Sequence, residues 1–232
     1  MVNTGNSRNV TSNQLGPHEK IPELVQRYLN TQSSKPINEH TQQAFNSVVD
    51  WLAGWATDGS QALIIDSCCG VGESSVKIAQ RFPNAKVIGI DKSKLRTEKH
   101  EKTLQIPTNC LIVRADVIDF WRLAIAAQWR PSHHFLLFPN PYPKSVHIQR
   151  RWHGSPSFAD ILRLGGILEV RSNWQLYIEE FALALEYAGA KAQWQQLAIT
   201  EPLTAFERKY DASGQAIWQL TCNLSSEQLQ TS

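Results

Sequence analysis

"ALIIDSCCGVGESS", residues 62–75, decides the fold. A short apolar run ends at Asp66, small residues and two glycines follow, and the apolar positions then switch to helical spacing at Val76, Ile78, Ala79 and Phe82. That pattern is a buried strand, a tight turn and a helix. The strand signal recurs in "KVIGID" (86–91), "NCLIVRAD" (109–116), "HHFLLF" (133–138) and "GGILEVRS" (165–172). Between these runs lie helical patterns in "KSKLRTEKHEKTL" (92–104), at 117–129 and near 156–164. Short buried strands alternating with helices require right-handed crossovers, so the fold class is α/β: a Rossmann-like, mostly parallel, doubly wound sheet with helices on both faces.

The flanks add to this frame. Ile21, Leu24, Val25 and Leu29 predict a helix over 21–30, and Ala44, Val48, Trp51, Leu52 and Trp55 another over 38–57. "WQLYIEEFALALEYAGA" (174–190) is an amphipathic helix that stops at Gly189, and strands are expected near 191–200 and 215–223. The reading is one domain over 21–225, with flexible polar tails at 1–20 and 226–232.

With 42% hydrophobic and 19% charged residues, the composition is globular, and no run of eighteen apolar residues offers a bilayer-spanning helix. The polar start has no apolar leader core, which predicts a cytoplasmic protein. Cys68, Cys69, Cys110 and Cys222 have no C-x-x-C spacing, so neither a metal site nor a disulfide framework is expected. The net charge is only +2, but its distribution is uneven. Between Asp119 and Asp160 there is no carboxylate, while Arg122, Arg130, Lys144, Arg150 and Arg151 fall there with four histidines. Such a stretch is either a solvated face or a surface for an anionic partner.

In this fold, ligands sit beyond the carboxyl ends of the strands. Asp66, Asp91 and Asp116 end the first three strands, and Cys68, Gly70 and Gly72 line the turn where backbone can come close to a ligand. Ser75 stands where a dinucleotide fingerprint has its third glycine, and Asp66 would repel a pyrophosphate. A cationic, phosphate-free donor such as S-adenosyl-L-methionine suits these acids better: Asp91 placed for ribose hydroxyls, Asp116 for an adenine amine. For each acid the competing reading is that it caps the next helix, Asp116 before "VIDFW" above all. The fourth strand runs into "FPNPYPKSVHIQRR" (138–151). Pro139, Pro141 and Pro143 restrict the residues before them, which predicts a rigid loop with Phe138, Asn140 and Tyr142 extended. The alternative is a merely stiff surface loop.

That segment resembles the tRNA (guanine-N7)-methyltransferases of the TrmB type, whose hallmark is F-P-D-P-W-P-K-x-x-H-x-K-R-R. Further similarities follow in family order from residue 62 to 208: "DSCCGVG", "GID", "RAD", "SNWQLY" (172–177) and "TAFER" (204–208). The resemblance implies a class I methyltransferase, monomeric or homodimeric, that uses S-adenosyl-L-methionine to methylate N7 of guanine 46 in the variable loop of tRNA. It assigns Asp66, Asp91 and Asp116 to the methyl donor. Asn140 occupies the position of a catalytic aspartate that touches donor and substrate. Lys144, Asn173, Thr204, Phe206 and Glu207 match substrate-contacting positions, Glu207 being suited to accept from guanine N1 and N2. His147, Arg150 and Arg151 become candidates for RNA phosphates, and Tyr142, Trp152 and Trp174 for stacking. Asn140 and Asn173 replace aspartates, which leaves two alternatives: a member retargeted to another RNA or small molecule, and an inactive RNA-binding member. Guanine N7 carries no proton, so positioning without a general base can serve the reaction.

Overall fold

The computed structural model describes residues 7–96 and 104–224. Its strands are β1 (Leu63–Ser67), β2 (Lys86–Asp91), β3 (Cys110–Arg114), β4 (His133–Leu137), β5 (Ile167–Ser172), β6 (Ala192–Gln196) and β7 (Trp218–Asn223). Their order is β3-β2-β1-β4-β5-β7-β6, a mostly parallel, Rossmann-like α/β arrangement as the alternation predicts. The helices are α1 (Ile21–Leu29), α2 (Glu39–Trp51), α3 (Glu73–Arg81), α4 (Val117–Ala126), α5 (Phe158–Leu164), α6 (Gln175–Tyr187) and α7 (Ala205–Asp211). By its internal contacts the chain divides into two compact units.

The first unit holds residues 34–96, 104–137 and 163–166 of those described. In it β1 pairs in parallel with β2, Leu63 opposite Lys86, and with β4, Ile64 opposite His133; β2 pairs with β3, Val87 opposite Cys110. Leu63, Ile64, Ile65, Val87, Ile88 and Ile90 are all buried, the continuous apolar run expected when helices cover both faces of a strand. Phe45 of α2 packs against Phe120 of α4 and stacks on Trp129, with ring centroids 5.2 and 4.8 Å apart. Helix α2 ends at Trp51, short of the expected 57, and the chain turns through Gly54 at φ 80°. The Lys86 ammonium lies 4.1 Å from the centre of the Trp51 ring, so this tryptophan serves a cation contact at the helix end. Of the helix expected at 92–104, residues 97–103 lie outside the described residues.

A polar cluster is sealed between β1, β4 and α4 of this unit. Ser67 Oγ at the end of β1 accepts from Trp121 Nε1 at 2.9 Å and shares a hydrogen bond with His134 Nε2 at 3.0 Å. His134 is fully buried, and burial pushes its imidazole down to about 3.

The second unit holds residues 7–33, 138–162 and 167–224 of those described. Here β7 pairs antiparallel with β5, Val170 opposite Leu220, and with β6, Trp194 opposite Leu220. Tyr177, Ile178, Phe181, Ala184 and Leu185 form the buried face of α6. The segment that follows β4 contains two 3-10 turns, Ser145–Arg150 and Trp152–Gly154. Helix α7 was not expected, although "TAFE" at 204–207 is a capping-box sequence: the Thr204 hydroxyl accepts the Glu207 N–H at 3.0 Å. The tail expected at 1–20 is bonded into this unit from Ser7 to His18, because its polar side chains find partners on the chain itself. No helix among the described residues is long and apolar enough to cross a membrane.

The buried imidazole sets a sign for pH dependence. Because the folded value lies below the ordinary 6.5, the unfolded chain takes up the proton first, and the contribution of His134 to stability is lost as pH falls from about 6.5 towards 3. Denaturant titrations of the wild type and His134→Gln should show their stability difference shrinking by about 2 kcal/mol between pH 7 and pH 5. An unchanged difference would place the imidazole in contact with water.

Candidate functional site

In the first unit, the ends of β1 and β2 are tied together by carboxylates. Asp66 is fully buried; its Oδ2 accepts from Ser74 Oγ at 2.6 Å and Ser75 Oγ at 2.7 Å, while Oδ1 is buried without a partner. Burial pushes this carboxyl up to about 6 despite the two hydroxyls. Ser75 fits because Gly89 on β2 is bare: a Cβ there would sit 2.3 Å from Ser75 Oγ. Asp91 accepts from the Gly70 N–H at 3.0 Å and the Ser93 N–H at 2.8 Å, with the Arg96 guanidinium at 3.6 Å. The turn between them is open at its tip. Cys68 is exposed with φ 62°, and a Cβ on Gly70 would meet nothing within 4 Å.

Two expectations here change. Gly72, read as making room for a ligand, instead makes room for the core: a Cβ on it would lie 2.2 Å from Ile112 Cδ1, and its φ of 81° starts α3. Asp116 follows the capping reading, its Oδ1 accepting from the N–H groups of Ile118 and Asp119 at 3.0 and 3.3 Å.

In the second unit, the proline corner is turned rather than extended. Phe138 and Tyr142, each before a proline, have φ of 52° and 43°. Backbone of this kind is strained for large side chains and persists where the surroundings enforce it. The Phe138 N–H donates to Arg171 O at 2.9 Å, and the Tyr142 N–H donates to Asn140 Oδ1 at 3.3 Å. Asn140 is exposed at the apex, as are Lys144 and Arg150, and the Arg150 guanidinium lies 5.8 Å from the Tyr142 ring centre. His147 meets the same ring edge-on at 6.3 Å.

Arg151, expected on an RNA phosphate, has a different role. It is fully buried and ion-paired with the equally buried Glu180. Its Nε and Nη2 donate to Tyr142 O at 3.2 and 3.0 Å, and Nη2 also reaches Gln14 Oε1 at 2.6 Å. Its guanidinium lies over Trp174 at 4.9 Å, which occupies that indole with a cation. A guanidinium buried to this extent and bonded to these groups acts as a brace of the corner. Glu180 Oε2 also bonds His153 Nε2 at 3.0 Å. Burial by itself would raise the Glu180 carboxyl, but His153 and Arg151 outweigh it and hold it down to about 2, while burial lowers the His153 imidazole. The sequence did carry a signal: Glu180 falls on the apolar face of α6, where a carboxylate needs a cation.

Glu207 is fully buried, with Oε1 taken by Arg171 Nη1 at 2.8 Å and Oε2 by the Leu203 N–H at 2.5 Å, so it braces α7 and β5. Thr204 is the buried cap of the same helix. Asn173 Nδ2 donates to Gln215 Oε1 at 2.8 Å. Phe206 is half exposed and forms an aromatic group with Phe138 and Tyr210, centroids 5.5 to 6.1 Å apart; of these rings Tyr210 carries no signal in the sequence. Among the described residues no cluster of His, Cys, Asp and Glu could hold a metal ion.

A family model described as "Putative methyltransferase" matches residues 60–220. The chain is similar to the tRNA (guanine-N(7)-)-methyltransferase of Stutzerimonas stutzeri, 28% identical over 166 residues covering 65% of this chain and 68% of that one. It is also similar to that of Treponema pallidum, 30% identical over 170 residues covering 68% and 65%. The chain thus spans about two thirds of the length of these relatives. Among solved structures, an antibiotic-related methyltransferase superposes with a TM-score of 0.55 at 13% identity over 84% of this chain and 98% of that one. The 16S rRNA methyltransferase KamB does so with 0.53 at 15% identity over 82% and 95%. At these identities the structural likeness concerns the fold.

The two neighbouring arginines of the motif should behave oppositely. Arg151→Ala leaves Glu180 buried without its strong cation and should destabilise the fold by about 3–5 kcal/mol, whereas exposed Arg150→Ala should stay within about 0.5 kcal/mol of wild type. Chemical denaturation of both variants decides.

Proposed function

Since the chain belongs to the methyltransferase family whose model matches residues 60–220, we propose that it transfers a methyl group from S-adenosyl-L-methionine to N7 of a guanine in tRNA, guanine 46 of the variable loop. The observation that carries this reading is the corner itself: Asn140, Lys144 and Arg150 are exposed on backbone that Arg171, Asn140 and Arg151 bind into one shape. A preset shape suits a reaction governed by positioning. The names of the similar enzymes from Stutzerimonas and Treponema agree with the substrate.

The residues of the first unit fit the donor. The segment 66–75 carries Asp66 and Glu73 and no cation, so it disfavours polyphosphate and favours a positively charged ligand. Asp66 has an unpartnered buried oxygen, Gly70 leaves open space, and Asp91 holds the turn by its Gly70 N–H. When bound, S-adenosyl-L-methionine supplies an electrophilic methyl group on a sulfonium. Asp66 and Asp91 then favour the cationic donor, and Asp91 accepts from its ribose hydroxyls.

Asn140 takes over the positioning role of an aspartate. Its Oδ1 is engaged by the Tyr142 N–H, so the amide N–H groups are what it offers, and guanine O6, the acceptor beside N7, can receive one. No proton has to leave N7, so an amide can stand where a carboxylate would be a base. Phe206 and Phe138 supply ring faces for a base, and Lys144, His147 and Arg150 supply charge for phosphates.

Incubation with labelled donor and unmodified tRNA, followed by borohydride and aniline cleavage, should map N7-methylguanine; binding of tRNA without any methylation would instead mark a non-catalytic RNA-binding member. Calorimetry should show donor binding by the wild type and its loss in Asp91→Ala. Asn140→Asp should retain or raise turnover; a variant that bound the donor yet was inactive would remove Asn140 from the reaction. Arg150→Ala should weaken tRNA binding across sequences and reduce the slope of log K against log salt by about 1.

A further inference from the structure

Residues 7–18 run along the second unit and make a series of hydrogen bonds to the segment that follows β4. Ser12 Oγ donates to Pro143 O at 2.6 Å. Asn13 and Ser145 bond reciprocally, Nδ2 to Ser145 Oγ at 3.2 Å and the Ser145 N–H to Asn13 Oδ1 at 3.1 Å. Gln14 Oε1 accepts from Arg151 Nη2 at 2.6 Å, while its Nε2 donates to Glu180 Oε1 at 2.9 Å, the same oxygen that takes the His18 N–H at 3.0 Å. Further back, Ser7 O accepts from Gln215 Nε2 at 2.8 Å, and Gln215 in turn holds Asn173.

These bonds fall where the corner needs them. Pro139, Pro141 and Pro143 have no N–H, so half of the backbone donors of the corner are missing and it must be held by its carbonyls. Arg151 takes Tyr142 O, Ser12 takes Pro143 O, and Gln14 bonds to both members of the Arg151–Glu180 pair. The left-handed Tyr142 lies directly before Pro143. We propose that residues 7–18 are a strap that sets the shape of the base-presenting corner, with Ser12 and Gln14 as positioning residues for the transfer. The inference rests on the reading that this corner presents the base. A second consequence is that the strap acts on turnover and leaves donor binding alone, because among the described residues its hydrogen bonds outside the strap go to Pro143, Ser145, Arg151, Glu180, Ser213 and Gln215 and to none of the donor-side acids.

The test uses the full chain with Ser12→Ala/Gln14→Ala, Ser12→Thr and, as a control on the same segment, exposed Thr11→Ala. Two readouts are taken: steady-state methylation of tRNA, and amide hydrogen exchange across 142–151. The double variant should lower kcat about tenfold with donor Kd unchanged, the loss of two hydrogen bonds of ordinary strength. Exchange at Ser145 and its neighbours should rise, Ser12→Thr should match wild type because it keeps the hydroxyl, and Thr11→Ala should be silent. Unchanged kcat overturns the proposal, as does a Ser12→Thr variant as impaired as the double one. If the wild type methylates no tRNA, the functional reading fails and exchange alone decides: faster exchange upholds the strap, unchanged exchange removes it.

Discussion

A segment with proline at every second position gives up the N–H groups by which backbone is usually held, and 139–143 is such a segment. Its shape therefore depends on what binds its carbonyl oxygens. Ser12 donates to Pro143 O, and Arg151 donates twice to Tyr142 O from a fully buried position. A buried guanidinium in turn requires a buried anion, and Glu180 supplies it from α6. The anion draws in His153, the Gln14 amide and the His18 N–H. Corner, 3-10 turns, α6 and strap thus form one bonded set, and the exposed side chains of the corner inherit their direction from it.

The first unit solves a related problem at the ends of β1 and β2. A carboxylate sealed beneath a turn is costly unless hydroxyls or amides satisfy it. Asp66 receives two serine hydroxyls, and Asp91 receives two backbone N–H groups. The bare Gly89 permits this by letting Ser75 sit against β2. The outcome is a turn whose negative charge is partly compensated and whose tip, at Cys68 and Gly70, is free of side-chain crowding. This is compatible with a cationic ligand for a chemical reason, the absence of any cation in the turn.

The elements were legible because apolar periodicity reports burial directly. β2 spans the predicted 86–91, and β1, β3, β4 and β5 lie within two residues of their expected ends. Helix α7 was missed although its capping box was in plain view, since seven residues carry too little periodicity to stand out. Polar roles were harder. Arg150 and Arg151 are neighbours of the same type, yet one is exposed and the other fully buried. Nothing local distinguishes them; the difference is made by Glu180, twenty-nine residues away in the chain.

What the sequence determined by itself was the α/β alternation, the acids at the strand ends and the proline-ruled motif, because each follows from local steric preference or from burial repeated along the chain. What only the tertiary structure decided was how each polar side chain is used. Asp116 caps a helix, Glu207 braces Arg171, Gly72 makes room for Ile112, and the polar start of the chain grips the corner. A donor or acceptor is committed by whichever partner folding brings within about 3 Å, and that partner lies far away in sequence.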